Sequence, residues 1–141
     1  MKKIVASIIM LLVVVLGGTV LYQANSLKKD ATGIAEAGKA SFQIIDYKKA
    51  KVMMDKGGVT IVDVRRQDEY DAGHIKDAIL VPNESIGKTE LKALPDKNAV
   101  LLVYCRTGIR AKDASQKLAN LGYKNVYDFG GIVDWPYEKV K

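Results

Sequence analysis

From Val100 to Tyr104 the chain is continuously apolar and runs directly into its single cysteine, Cys105; no other stretch limits the fold of the globular part so narrowly. A strand that is apolar on both faces has to be covered on both faces, as in a parallel sheet flanked by helices. The neighbouring segments supply such partners. Val59 to Val64 is a short β-branched run, Ala78 to Val81 is another strand closed by Pro82, and Val126-Tyr127 precedes Gly130-Gly131. Helical patterns alternate with them. Asp46 can cap a helix with Ala50, Met53 and Met54 on one face and Gly57-Gly58 at its end. Gln67 to Ala72 reads as one or two turns, and Ile109, Ala114, Leu118 and Leu121 form an apolar stripe closed by Gly122. Alternating strands and helices predict an α/β domain with a mostly parallel central sheet, helices on both faces and right-handed crossovers. Ligands in such sheets bind beyond the carboxyl ends of the strands, which is where Cys105 stands.

The residues after the cysteine are Arg106-Thr107-Gly108-Ile109-Arg110, a short loop leading into a helix. Backbone N–H groups at a helix N-terminus and two guanidinium groups favour the thiolate over the thiol and hold anions beside it. Cys105 is therefore predicted to be a nucleophile at neutral pH, with Arg106 to Arg110 forming the substrate-binding nest around it. Gly108 is the position where closing that loop most needs conformational freedom. The bland alternative is a small buried hydrophobe at a strand end.

The first forty residues need a separate explanation. Met1-Lys2-Lys3 is followed by an uncharged apolar run from Ile4 to Tyr22, close to the roughly 20 residues that cross a bilayer and longer than the usual core of a signal peptide. A small-residue cleavage site is hard to place, since Ala24 has Tyr22 two positions before it. Residues 1–22 are thus expected to be an uncleaved transmembrane anchor in preference to a signal peptide, and residues 23–41, small and polar, a flexible tether. Lysines flank the run on both sides; the short amino-terminal side favours N-terminus inside and the domain outside, at the cell membrane as a single-pass protein. Cleavage would make the domain periplasmic or secreted. A lone cysteine in such a compartment forms no intramolecular bridge and must work as a thiol. The net charge of +6 falls to +4 once Lys2 and Lys3 are set aside. The remaining lysines are scattered among acids, which argues against a nucleic-acid partner.

Taken in order, Asp63-Val64-Arg65, Glu69-Tyr70, Gly73-His74-Ile75, Cys105 to Arg110, Gly122-Tyr123, Val126-Tyr127, Gly130-Gly131 and Trp135 resemble the rhodanese domain, the thiosulfate sulfurtransferase family, over residues 42–141. The resemblance implies a sulfurtransferase. Cys105 would take the outer sulfur of thiosulfate, a persulfide or a polysulfide, and pass it to cyanide or a thiol. It implies no cofactor and no metal, and a monomeric soluble domain. Arg106 and Arg110 would attract the donor and stabilise the departing sulfite. Asp63, Arg65 and Trp135 are expected to support the site from outside the loop; the alternative for Asp63 is simply to cap a turn, and Trp135 could equally be an aromatic packed at the domain edge. His74 reads as structural, hydrogen-bonded to backbone or a carboxylate. Two departures stand out: Lys76-Asp77-Ala78 where the family usually has Pro-Gly-Ala, and Ala111 where a serine is common. The latter removes a hydroxyl donor and weakens the case for thiosulfate itself.

Three other readings compete. A persulfide carrier that serves a membrane partner without turnover would use the same loop. Phosphatase or arsenate-reductase chemistry calls for a larger ring than the four residues between Cys105 and Arg110. A dithiol redox protein would need a second cysteine, and the chain has one.

Overall fold

The computed structural model describes residues 40–87 and 91–141. The expected membrane anchor and all but the last two residues of the expected tether lie outside the described residues. Ala40 already accepts a hydrogen bond from Gln116 Nε2 at 2.9 Å.

Among the described residues, seven strands and three helices follow in chain order. They are β1 (Gln43–Ile44), α1 (Tyr47–Lys56), β2 (Val59–Asp63), α2 (Gln67–Ala72), β3 (His74–Ile75), β4 (Ile79–Leu80), β5 (Val100–Cys105), α3 (Ile109–Asn120), β6 (Asn125–Gly131) and β7 (Lys139–Val140). Two 3-10 turns, Asn83–Ser85 and Ile132–Asp134, complete the set. Five strands form one parallel sheet in the order β1-β6-β5-β2-β4, and β3 pairs antiparallel with β7 in a separate strap.

The central strand β5 shows why its sequence is apolar throughout. Side chains alternate across a strand, so Leu101, Val103 and Cys105 join the core under α3, while Leu102 and Tyr104 join a second core with Ala50 of α1. Each face of β5 is thus buried by a different helix. The alternation also aims Cys105 at the face where α3 begins.

Local chemistry sets the helix ends. Asp46 accepts the Lys49 N–H at 2.7 Å and starts α1, and Gly57, at φ +78°, ends it. At the end of α3 the N–H groups of Gly122 and Tyr123 return to the carbonyls of Ala119 and Leu118, the paired bonds of a Schellman motif. The apolar stripe of α3 needs correcting at both ends: its buried face is Ala111, Ala114, Ser115 and Leu118, whereas Ile109 is 80% exposed. Helical geometry gives the reason, because Ile109 lies about 200° around the axis from Ala111. Leu121 is also exposed, having left the helix at its cap.

Other strands were legible in place but not in length. Ile79–Leu80 is shorter than expected and Asn125–Gly131 much longer. β1, β3 and β7 have two residues each, too short for a period-two pattern to register.

Candidate active site

Cys105 closes β5 at the carboxyl edge of the sheet, and the four residues after it turn the chain into α3. The turn depends on Gly108, whose φ of +102° is left-handed and costly for other residues. In that conformation its N–H points back into the loop and donates to Cys105 Sγ at 3.0 Å. The expected freedom at Gly108 and the expected backbone donor to the sulfur are thus the same feature. Cys105 is only 1% exposed, whereas Arg106 and Thr107 are exposed. The sulfur is sunk beneath its own loop.

β6 supports the loop from the side. Its pairing with β5 slips between Val103↔Asp128 and Cys105↔Gly131, a bulge in which Gly130 adopts φ +91° and donates to Asp128 Oδ1 at 2.9 Å. The slip lays Gly131 directly against the loop. A side-chain carbon at Gly131 would fall 2.7 Å from Thr107 Cα and 2.8 Å from the Arg106 carbonyl carbon. The Val133 N–H completes this side by donating to Arg106 O at 3.2 Å. Asp128 itself is buried, and burial pushes its carboxyl upward against the Gly130 N–H and Lys112.

Beneath the site lies a buried polar network. Asp63 is wholly inaccessible, and its two carboxylate oxygens divide between the turn and the next strand. Its Oδ1 caps the turn by accepting the Arg65 N–H at 3.0 Å, and its Oδ2 accepts the Tyr104 hydroxyl at 2.7 Å. Arg65 forks onto the same carboxylate, with Nη2 at 2.7 Å from Oδ2, and reaches Gly73 O at 2.8 Å. Burial works against the Arg65 charge, and the bond to Asp63 with its carboxylate field more than offsets it. Tyr104 also accepts the Ile75 N–H at 3.1 Å; burial first, and then the Asp63 charge, pushes its phenol up. The network ties β2, β5 and β3 together one residue before the cysteine.

Arg110 departs from the simplest expectation. Its Nη1 and Nη2 donate to Glu69 Oε2 and Oε1 at 2.7 and 2.8 Å. The Arg110 guanidinium holds the Glu69 carboxyl down to about 2, with burial opposing and the Arg66 N–H assisting. A cavity of about 420 Å³ beside the loop is lined by Arg66, Asp68, Glu69, Arg106 and Arg110. Glu69 was legible only as part of a sequence motif. Its partner lies 41 residues away, and no local periodicity connects the two.

Trp135 takes the packing reading and not the supporting one. After β6 the chain crosses to the other face through the Ile132–Asp134 turn, so Trp135 packs at a tilt on Phe129 (5.7 Å) and edge-on to Tyr137 (4.9 Å) in the core under α1. It lines a different cavity of about 340 Å³ with residues of α1 and the strap. His74 is positioned by backbone, its Nδ1 3.0 Å from Tyr70 O and its ring stacked on that of Tyr70.

A parallel α/β sheet that carries one cysteine at the end of its central strand, in a four-residue loop capping a helix, defines a cysteine-loop α/β domain. The chain belongs to the rhodanese-like family: the description "Rhodanese-like domain" matches residues 46–137. The thiosulfate sulfurtransferase PspE of Escherichia coli (strain K12) is 35% identical over 80 residues, 57% of this chain and 77% of that protein. The tRNA uridine(34) hydroxylase of Hamiltonella defensa is 34% identical over 98 residues, 66% of this chain but only 28% of the hydroxylase. Among solved structures, an Escherichia coli rhodanese with anions has a TM-score of 0.54 at 34% identity, over 58% of this chain and 96% of that one. The human single-domain sulfurtransferase TSTD1 shares the fold, with a TM-score of 0.58 at 24% identity, over 67% and 96% of the two chains.

Proposed function

We propose that this protein is a sulfurtransferase that carries sulfane sulfur as a persulfide on Cys105. The observation that carries the reading is the Gly108 N–H held 3.0 Å from Cys105 Sγ at the start of a helix. In the loading step the Cys105 thiolate bonds to the outer sulfur of a donor such as thiosulfate. The donor's sulfur–sulfur bond breaks, and sulfite leaves with the electron pair. In the discharge step cyanide or a thiolate attacks the outer sulfur of the persulfide and the Cys105 thiolate departs, free for another cycle. No base is required once the thiol is ionised, and His74 is engaged elsewhere. Gly108 N–H and exposed Arg106 supply the positive field for the charge that accumulates. We further propose that residues 4–22 hold the domain at the cell membrane, which fractionation of cells expressing the full chain tests directly.

The decisive experiment is the intact mass of the protein before and after thiosulfate or a persulfide donor, followed by cyanide. The expected result is a gain of one sulfur, lost again as thiocyanate, with Cys105→Ser inert in both steps. Loading in the Cys105→Ser protein would overturn the assignment. A load that only a thiol partner removes would instead make the protein a persulfide carrier.

A further inference from the structure

The charge around the loop is largely spoken for. Of the three arginines lining the adjacent cavity, Arg110 gives both ends of its guanidinium to Glu69, and Arg66 reaches Glu84 at 3.4 Å. A bidentate arginine–carboxylate pair has no net charge to offer a ligand. Asp68 places a second carboxylate in the same cavity. Among the described residues, Arg106 stands in none of the ion pairs. Among the described residues, a dianion such as thiosulfate therefore meets one unengaged guanidinium, Arg106, and one unpaired carboxylate, Asp68.

Two exposed aliphatics join Arg106 and Thr107 at the rim of the loop. Ile109, at its carboxyl end, is 80% exposed, and Val133, hydrogen-bonded to Arg106 at its amino end, is 57% exposed. Single surface aliphatics need no explanation. Here two of them bracket a sunken thiol at opposite ends of a four-residue loop.

We propose that the site selects a sulfane-sulfur donor carrying one negative charge and an apolar group, and that Glu69 sets this preference by keeping Arg110 from the donor. This rests on the Cys105 persulfide reading above. The outer sulfur enters beside the Gly108 N–H, Arg106 faces the single charge, and the organic group lies on Ile109 and Val133. With a thiosulfonate, the Cys105 thiolate bonds to the outer sulfur, the donor's sulfur–sulfur bond breaks, and the sulfinate leaves with the electron pair. The total charge of −2 is conserved, and no oxidant or reductant takes part.

Thiosulfate, methanethiosulfonate and benzenethiosulfonate separate the two effects, since the second removes one charge from the first and the third enlarges the apolar group. The rate of Cys105 persulfide formation by purified full-length protein is measured for each by intact mass and divided by that donor's rate with free N-acetylcysteine. The expected order is benzenethiosulfonate, methanethiosulfonate, thiosulfate, spanning about tenfold, the scale on which a pocket discriminates small apolar groups. Glu69→Gln should raise the thiosulfate rate several-fold relative to methanethiosulfonate, and Val133→Ser should close the gap between the two thiosulfonates. A wild-type protein that loads fastest from thiosulfate overturns the proposal, whatever the variants do. So does a Glu69→Gln protein, folded by circular dichroism, in which thiosulfate loading falls. If no donor adds mass to Cys105, the persulfide reading itself fails and the donor preference falls with it.

Discussion

At the residue scale, the site depends on two positions with no reactive side chain. Tyr104 is fully buried with its hydroxyl donating to Asp63 and accepting from Ile75 N–H. Removing that oxygen strands the buried Ile75 N–H, which costs about 1–3 kcal/mol, and leaves Asp63 Oδ2 to Arg65 alone. Tyr104→Phe should therefore cost about 2 kcal/mol in denaturant midpoint experiments, with Cys105 loading largely retained in the folded fraction. Gly108 behaves oppositely. Alanine at φ +102° is strained by about 1–3 kcal/mol, and relief of that strain turns the N–H away from the sulfur. Gly108→Ala should thus lose most of its persulfide loading for a modest change in stability, and intact mass with parallel thermal melts distinguishes the two variants.

At the element scale, Glu69 and Arg110 clamp α2 to α3 across 41 residues of sequence. The folded Glu69 carboxyl titrates near 2 against 4.5 for a free one, so the unfolded chain takes up the proton first as pH falls. The clamp's contribution is complete above the unfolded value and drains away between about pH 4.5 and 2. Wild type and Glu69→Gln should accordingly differ by a constant margin in urea unfolding above pH 5.5, a margin that shrinks below pH 4.5; a margin independent of pH would show that the ion pair is not its source. The clamp also marks what the sequence could and could not disclose. Strand β5, the Gly108 turn and the caps at Asp46, Gly57 and Gly122 announce themselves because each obeys a rule acting within a few residues. Ile109 misled because it belongs to the loop's rim while sitting one turn from a genuine apolar stripe. Arg110 looked free because its partner is on another helix, and Trp135 kept two readings open because its position in the chain does not say which face it reaches. A 3-10 turn carries it to the opposite face.

At the scale of the whole molecule, the sheet order β1-β6-β5-β2-β4 sets the limits of the folding unit. The first strand among the described residues is an edge strand paired with the last parallel one, Gln43 opposite Tyr127 and Ile44 opposite Asp128. The family match begins at 46, just after this strand, yet Ile45 is 9% exposed within the core under α1 and Phe42 packs against the core under α3. A chain beginning at residue 40 keeps both cores whole, the edge pairing and the Gln116 contact to Ala40. A chain beginning at residue 46 loses the burial of Ile45, about 2–3 kcal/mol on its own, and leaves the backbone of β6 as an open edge that invites association. The 40–141 protein should unfold cooperatively and load Cys105 at the full-length rate. The 46–141 protein should melt at least about 10 °C lower, given about 4–8 °C per kcal/mol for a domain of this size, and should form concentration-dependent oligomers in sedimentation. Equal melting temperatures for the two would mean that β1 is an ornament of the sheet and that the cores close without Ile45 and Phe42.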